Sequence, residues 1–288
     1  MSLLVQQLLN GIATGMTLTL IALGINLIFG LFNFVNFAHG GFYVLGGYLA
    51  LTCMTVLGLN YWEALVLGTI LCGLFGVALD AAIFSRILGR DPSISMILTF
   101  GLALVIQEGI RVIWGPAPKQ IKSPLSDKAV TYGGVYLNQQ LVFTIVGSII
   151  LIAAFSLLVT KTRFGLTVRA LTQDFEMAQI NGVNAKKVSR TVWFLGAGST
   201  ALAGIMILPA FTLEAQGMLN TSVMAFVVVI IGGMGSLWGS VAAGLILGIA
   251  TGLIEGYVAT GMFEVAAAGL MLLTLWIRPL GIAGKPAV

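Results

Sequence analysis

The sequence predicts an all-α polytopic membrane protein, and three observations carry that prediction. Of its 288 residues, 58% are hydrophobic and only 8% charged, with a mean hydropathy of +1.05. A water-soluble domain carries about 25% charged residues, so too little polar surface exists here to cover a globule. The same composition excludes a disordered chain, which needs charge to stay expanded in water. Second, the first fixed charge is Glu63, and before it only His39 titrates near neutrality. An uncharged stretch of that length is enough to cross a bilayer twice. It is too long for a signal peptide and lacks the basic start such a peptide needs. Third, glycine supplies 37 residues, which favours close helix–helix approach and broken helices.

Apolar segments are expected at about 7–31, 37–57, 62–84, 94–113, 140–160, 191–213, 223–254 and 259–277. Eight transmembrane helices follow, with up to ten if glycine-rich parts are broken or re-entrant. The 223–254 run exceeds the roughly 20 residues that one span needs. Gly232-Gly233-Met234-Gly235-Ser236 interrupts it, so it reads as one tilted span, two spans, or a half-helix followed by a span.

Orientation follows from Lys and Arg in the short loops. Loop 161–190 holds Lys161, Arg163, Arg169, Lys186, Lys187 and Arg190 against Asp174 and Glu176. Loop 85–93 adds Arg86 and Arg90 against Asp91. Two spans separate these loops, so they share a side, expected to be the cytoplasm. Loop 114–138 then faces outward despite Lys119, Lys122 and Lys128 against Asp127. Its prolines 116 and 118 and its Gly133-Gly134 pair argue against a long helix there. Counting back places the N-terminus outside. Counting forward places the C-terminus outside too, where Arg278 and Lys285 fit poorly; an extra crossing or re-entrant element within 223–254 removes the conflict. The chain therefore reads as a single membrane domain, 1–288, with a cytoplasmic loop at 161–190.

Enzymatic patterns are missing. One histidine and two scattered cysteines, Cys53 and Cys72, make no zinc constellation, and no phosphate loop of the G-x-x-x-x-G-K-[ST] type occurs. A nucleic-acid partner is not expected from the net charge of +4, because the basic residues are spread among spans and suit loops near anionic lipid. Glu108 and Arg111, three apart, are expected to pair across one helix face.

Two stretches stand out chemically. Between Thr172 and Ile180 the 161–190 loop has helix-forming character, with Thr172 as expected cap, Asp174 and Glu176 in the first turns, and Gly182 and Asn184 suited to the exit. Phe175, Ala178 and Gln179 share a face. On residues alone this is either an interfacial connector or a docking element that small Ala178 and Gly182 let a partner approach. The second stretch places Asn33, Asn36 and His39 in an apolar run closed by Gly40-Gly41. Amides in hydrocarbon need partners, so these residues belong either to a broken helix facing a polar solute or to a surface turn capping helix ends. In Gly232-Gly233-Met234-Gly235-Ser236-Leu237-Trp238-Gly239-Ser240, continuing to Gly244, small residues recur at three- and four-residue separations. Helix packing is their expected role, with no lysine to make a phosphate site.

Taken in order, Ala22-Leu23-Gly24-Ile25-Asn26-Leu27-Ile28-Phe29-Gly30, Asn36-Phe37-Ala38-His39-Gly40-Gly41-Phe42, Arg169-Ala170 with Asp174, Ala178 and Gly182-Val183-Asn184, and the Gly232–Gly244 stretch cover nearly the whole chain. Together they resemble the inner-membrane permease subunits of bacterial branched-chain amino acid ABC importers, a family that also contains urea and short-amide permeases. The resemblance implies a permease in the bacterial inner membrane that pairs with a second, related permease. It also implies two cytoplasmic ATPase subunits, which bind the ATP and magnesium, and a periplasmic solute-binding protein; no cofactor is expected in this chain. It favours docking over connection for the loop, with Arg169, Ala170, Asp174, Glu176, Ala178 and Gly182 as the ATPase-coupling residues. Asn36 and His39 match a polar motif of the family. The chain departs from the pattern at Pro209–Gln216 and at Trp238, which leaves the solute open: a branched-chain or other aliphatic amino acid first, urea, a short amide or a carboxylate as the alternative. An ion-coupled secondary transporter remains the competing class.

Overall fold

The computed structural model describes residues 2–87, 91–126, 129–132, 135–258 and 261–284. Arg90, Asp127, Lys128, the Gly133-Gly134 pair and Lys285 lie outside the described residues. The chain is helical almost throughout: α1 (Ser2–Phe32), α2 (His39–Val56), α3 (Tyr61–Leu79), α4 (Ser85–Ile87), α5 (Pro92–Trp114), α6 (Gln139–Lys161), α7 (Arg163–Gln173), α8 (Phe175–Ile180), α9 (Ala185–Ile207), α10 (Met218–Gly232), α11 (Leu237–Tyr257) and α12 (Phe263–Ile277). One π-helical turn, Asp80–Phe84, joins α3 to α4. Loop 114–138 adds a feature the sequence does not announce, an antiparallel hairpin of β1 (Ala129–Tyr132) and β2 (Val135–Asn138), with Ala129 opposite Asn138.

All eight expected segments are occupied by helix, and the long 223–254 run is two helices rather than one. Gly233 (φ +96°) and Gly235 (φ +79°) turn the chain between α10 and α11 in left-handed conformations that glycine adopts at no steric cost. By length and composition, six helical stretches suit a membrane crossing: 3–32, 61–87, 93–114, 139–161, 185–210 and 237–257. The expected count of eight is therefore not reached on length alone. The 18-residue α2 is not among the six. The other shortfalls are α10 and α12, apolar helices of 15 residues each.

Capping explains several boundaries. Asn60 and Glu63 form a reciprocal capping box at the start of α3. Asp91 accepts from the Ser93 amide at the start of α5, with Pro92 in its first turn. Asn138, Asp174 and Asn184 cap α6, α8 and α9 in the same way.

The core is built from two arms of like order running in opposite directions. In the first arm α1 is followed by the non-helical residues 33–38, then α2 and α3; in the second α9 is followed by 208–217, then α10 and α11. Gly24 lies on Gly196 and Thr200, and Phe32 on Trp193, so α1 and α9 are antiparallel. Each arm's closing helix packs on the other arm's opening helix. α11 crosses α1 where Gly248 meets Gly11 and Gly244 meets Gly15; α3 crosses α9 where Gly73 meets Phe194 and Gly76 meets Ala197. Any Cβ at these glycines would press on facing atoms, so the small residues set the distance between helices.

Contacts also fix the two ends of the bundle. Thr172 of the basic loop lies beside Gly30 near the end of α1. Asn26, one turn deeper, binds the α10–α11 link. Backbone amides of Ile282 and Ala283 bond to the carbonyls of Ile231 and Gly232. The chain's last described segment, with Arg278, thus lies at the same end as loop 161–190. At the opposite end Lys119 of loop 114–138 pairs with Leu213 by two backbone bonds.

Candidate functional site

The break after α1 is buried inside the bundle rather than lying at its surface. Asn33 alone is exposed; it leaves α1 with φ +52°, a left-handed exit that asparagine tolerates better than most residues. Asn36 and His39 are 1% and 0% exposed. Backbone groups freed by the break find partners on two neighbouring helices, and the His39 side chain finds one on a third. Thr99 of α5 serves the Phe37 amide and the Val35 carbonyl, each at 3.3 Å. Ser222 of α10 accepts from the Gly40 amide and donates to the Phe37 carbonyl, both at 2.9 Å. Asn36 Oδ1 accepts from the Ala38 amide at 3.1 Å. His39 Nε2 lies 2.7 Å from the Thr200 hydroxyl of α9. Irregular backbone at membrane depth is tolerable only with such partners.

Two polar atoms at the break stay without a hydrogen bond of ordinary geometry, Asn36 Nδ2 and His39 Nδ1, although the Ile21 backbone also faces the imidazole. Gly40 and Gly41 sit where Ser222, Met218 and Ile106 leave no room for a Cβ. The start of α2 and the start of α10 therefore meet closely at the centre of the bundle. Of the five residues grouped here from sequence, four form this packed centre and Asn33 stands apart from it.

Beside the centre lies a cavity of about 330 Å³ between α1, α10, α11 and α12. Its exposed rim carries Glu264, with Glu255 half-buried behind it; its floor reaches Ile21, Tyr43 and Met224. Neither Asn36 nor His39 lines it. In the sequence Glu255 and Glu264 merely stand near the ends of two apolar segments, and nothing in one dimension brings α1 against α11. The recurring polar positions Gln7, Asn10, Thr14 and Thr17 on α1 were the available signal: they follow helical spacing and all line the cavity.

At the basic end, α7 and α8 are two short helices joined through the single residue Asp174. The chain turns sharply from α6 because Gly165 packs on the backbone of Val159, and Arg169 Nη1 donates to the Val159 carbonyl. The expected single helix from Thr172 is two helices. Asp174 adopts extended backbone (φ −150°, ψ 103°) and its carboxylate accepts from the Met177 amide at 2.8 Å, so it, not Thr172, caps α8. Thr172 instead donates to the Arg169 carbonyl. Ala178 is 7% exposed, covered within this chain. Met177 and Ile180 are the open apolar residues, 54% and 78% exposed. Ala170 is half-buried and Glu176 exposed. Gly182 (φ +87°) makes the exit, and the space where its Cβ would stand is empty.

The glycine stretch is a packing seam. Gly232 lies on Gly239 and Ser240, Gly233 on Leu280 and Gly284, and Gly244 on Gly15 and Thr19, while Gly235 meets nothing and serves the turn. Trp238 is exposed and does not crowd it. Asn26, not singled out from sequence, holds the seam: its Oδ1 accepts from the Gly235 amide at 3.0 Å and its Nδ2 donates to Ser240 at 2.7 Å. Glu108 and Arg111 pair as expected, at 2.9 Å on an exposed face of α5.

A polytopic helical bundle with a buried, hydrogen-bonded break in its chain and a cavity between its helices has the build of membrane transporters. Residues 7–275 match the family described as branched-chain amino acid transport system / permease component, and the chain belongs to that family. It is thus the membrane permease subunit of an ABC-type importer system. The high-affinity branched-chain amino acid transport system permease protein BraD of Pseudomonas aeruginosa is 27% identical over 98% of this chain and 96% of its own. LivH of Escherichia coli K12, of the same description, is 26% identical with the same coverage. A probable branched-chain amino acid transport permease protein LivH of Methanocaldococcus jannaschii is 29% identical over 93% of this chain and 88% of its own.

Proposed function

We propose that this chain forms one half of a passage for branched-chain amino acids through the bacterial inner membrane, moved by ATP that separate subunits hydrolyse. A second, related permease completes the passage, two ATPases dock at the basic end, and a periplasmic binding protein delivers the solute to the opposite end. One observation carries the coupling part of this reading. Met177 and Ile180 stand exposed on a short helix at the basic end, where loop charge argues for water rather than lipid; exposed apolar side chains in such a place suit a protein partner. In this reading α2 and α10 are half-crossings that meet at mid-depth, and the segments 33–38 and 208–217 enter from opposite faces as re-entrant stretches. Arg169 ties α7 to α6 ahead of the docking helix, Asp174 caps that helix and Gly182 turns the chain out of it.

The test is reconstitution in liposomes with the cognate ATPases and binding protein, measuring leucine, isoleucine, valine and urea uptake. Leucine uptake that needs ATP is the expected result. Uptake that runs on an ion gradient without the ATPases overturns the reading, and urea uptake without amino acid uptake overturns the solute alone.

A further inference from the structure

Asp80 is a carboxylate to which the transport reading gives no task. It lies in the 61–87 span, 0% exposed, where α3 passes into the π-helical turn Asp80–Phe84. Turns of that kind are rare and concentrate at functional sites, as do ionisable groups within spans. Oδ1 accepts from the Ser189 hydroxyl of α9 at 2.7 Å, and Ser189 is itself 1% exposed. Oδ2 is buried with no hydrogen bond. Were holding Ser189 its whole role, a neutral amide would accept the same bond without burying a charge. The second oxygen is an acceptor with no donor in this arrangement.

One donor stands next to the bond. Arg190 follows Ser189 on α9, is exposed, and makes no ion pair among the described residues, yet its charge is close enough to act on Asp80. The place of this cluster in the fold gives it mechanical meaning. Only residues 181–184 separate the docking helix α8 from α9; there the Val183 amide bonds back to the Ala178 carbonyl and Asn184 caps α9. From Ala185 α9 runs unbroken to Ile207 and carries, beyond Ser189, both Trp193 and Thr200. Trp193 stacks at 4.3 Å on Phe84, which stacks in turn at 5.7 Å on Phe34 of the break. Thr200 meets His39 at the start of α2. A displacement of α9 thus bears on the buried break at two places, and Asp80 is a polar tie holding the start of α9 to α3.

We propose that Asp80 is a positioning residue with two alternative partners: it holds Ser189 in the present arrangement and takes the Arg190 guanidinium when the docking helix displaces the start of α9. Movement at α8 then reaches the break as a choice between two states. This relay rests on the importer reading.

The experiment measures leucine uptake and ATP hydrolysis together, in liposomes holding the complete importer, and reads their ratio. Asp80→Asn is expected to lower uptake per ATP about fivefold or more. The thermal midpoint of the purified Asp80→Asn permease should be no lower than wild type, since asparagine keeps an acceptor for Ser189 and removes a buried charge. Arg190→Gln is expected to lower the ratio equally and Arg190→Lys to keep most of it. The double variant Asp80→Asn with Arg190→Gln should lose no more than either alone. Arg86→Gln, at an exposed arginine of α4, should leave the ratio unchanged. Should Asp80→Asn fail to insert, the three single arginine variants carry the test. A wild-type ratio in Asp80→Asn or Arg190→Gln, additive losses in the double variant, or an equal loss in Arg86→Gln overturns the proposal. A lowered midpoint does so too, because it makes Asp80 a structural residue only. Wild-type uptake that needs no ATP sinks the importer reading and the relay with it; ATP-driven wild-type uptake with unaffected variants sinks the relay alone.

Discussion

Asn26 and Asn36 are both asparagines in apolar runs, and at the residue scale they show what sequence can and cannot reveal. Asn36 is conspicuous because His39 and two glycines stand next to it; Asn26 lies in a continuous helix and carries no such flag. Yet Asn26 makes the two longer-range side-chain bonds, to Gly235 and Ser240. Replacing it by Leu removes both bonds, although Ser240 keeps its bond to the Ser236 carbonyl and the exposed Gly235 amide can turn to water, a cost of about 0.5–1.5 kcal/mol per bond. Asn26→Leu should therefore lower the thermal midpoint of the purified protein measurably, and more than Asn36→Leu, which removes a single bond to the Ala38 amide. An unchanged midpoint for Asn26→Leu would mean the α10–α11 link is held by its glycines alone. The covered position of Ala178 was illegible for a related reason. Its helical spacing defined a face, and only the fold of α7 against α6 decides which face is covered.

At the scale of elements, periodicity and composition located every long helix, because hydrophobic runs bounded by charge are a local signal. The break at Asp174 was not legible from propensity, since the residues on both sides favour helix. Asp174 wins by offering its carboxylate to the following helix, a competition that Ser, Thr, Asn and Asp regularly win at helix starts. The exposed Met177 and Ile180 carry the element's prediction. Ile180→Asp should leave the permease inserted and thermally unchanged while reducing co-purification of the ATPases several-fold; full retention on a pull-down would make α8 a mere connector. Gly182→Trp separates two causes. Its side chain meets empty space within the chain, so loss of ATPase binding beyond that of Gly182→Ala, which adds only left-handed strain of about 1 kcal/mol, reports bulk at an interface. At the α1–α11 crossing the expectation reverses. Gly15→Leu places a side chain against the Gly244 carbonyl and Gly248, where overpacking costs about 1–3 kcal/mol or more, and loss should be seen in the yield of folded protein rather than in any partner's affinity.

For the whole molecule, span counting and loop charge disagree about the side of the C-terminus, and the two-helix build of 223–254 supplies the physical reason. Span counting assumes that every apolar run is one complete crossing, whereas the 223–254 run turns back at Gly233–Ser236, and α10 starts beside Gly40 at the centre of the bundle. Counting α10 and α11 as two passes instead of one reverses the parity of all that follows. The bonds from Ile282 and Ala283 to Ile231 and Gly232 place the last segment beside the Asn26–Gly235 junction, at the end of the bundle that carries Thr172. Arg278 then lies with the six basic residues of loop 161–190, as the positive-inside rule requires. Cysteine labelling tests this directly, after Cys53 and Cys72, both buried, are replaced by Ala. In intact cells a membrane-impermeant maleimide should label Lys122→Cys in the outer loop and spare both Asn181→Cys and Ala283→Cys, all three being exposed positions. In inside-out vesicles the pattern should invert. Labelling of Ala283→Cys together with Lys122→Cys in intact cells would put the C-terminal segment outside and force either α10 or α12 out of the arrangement described.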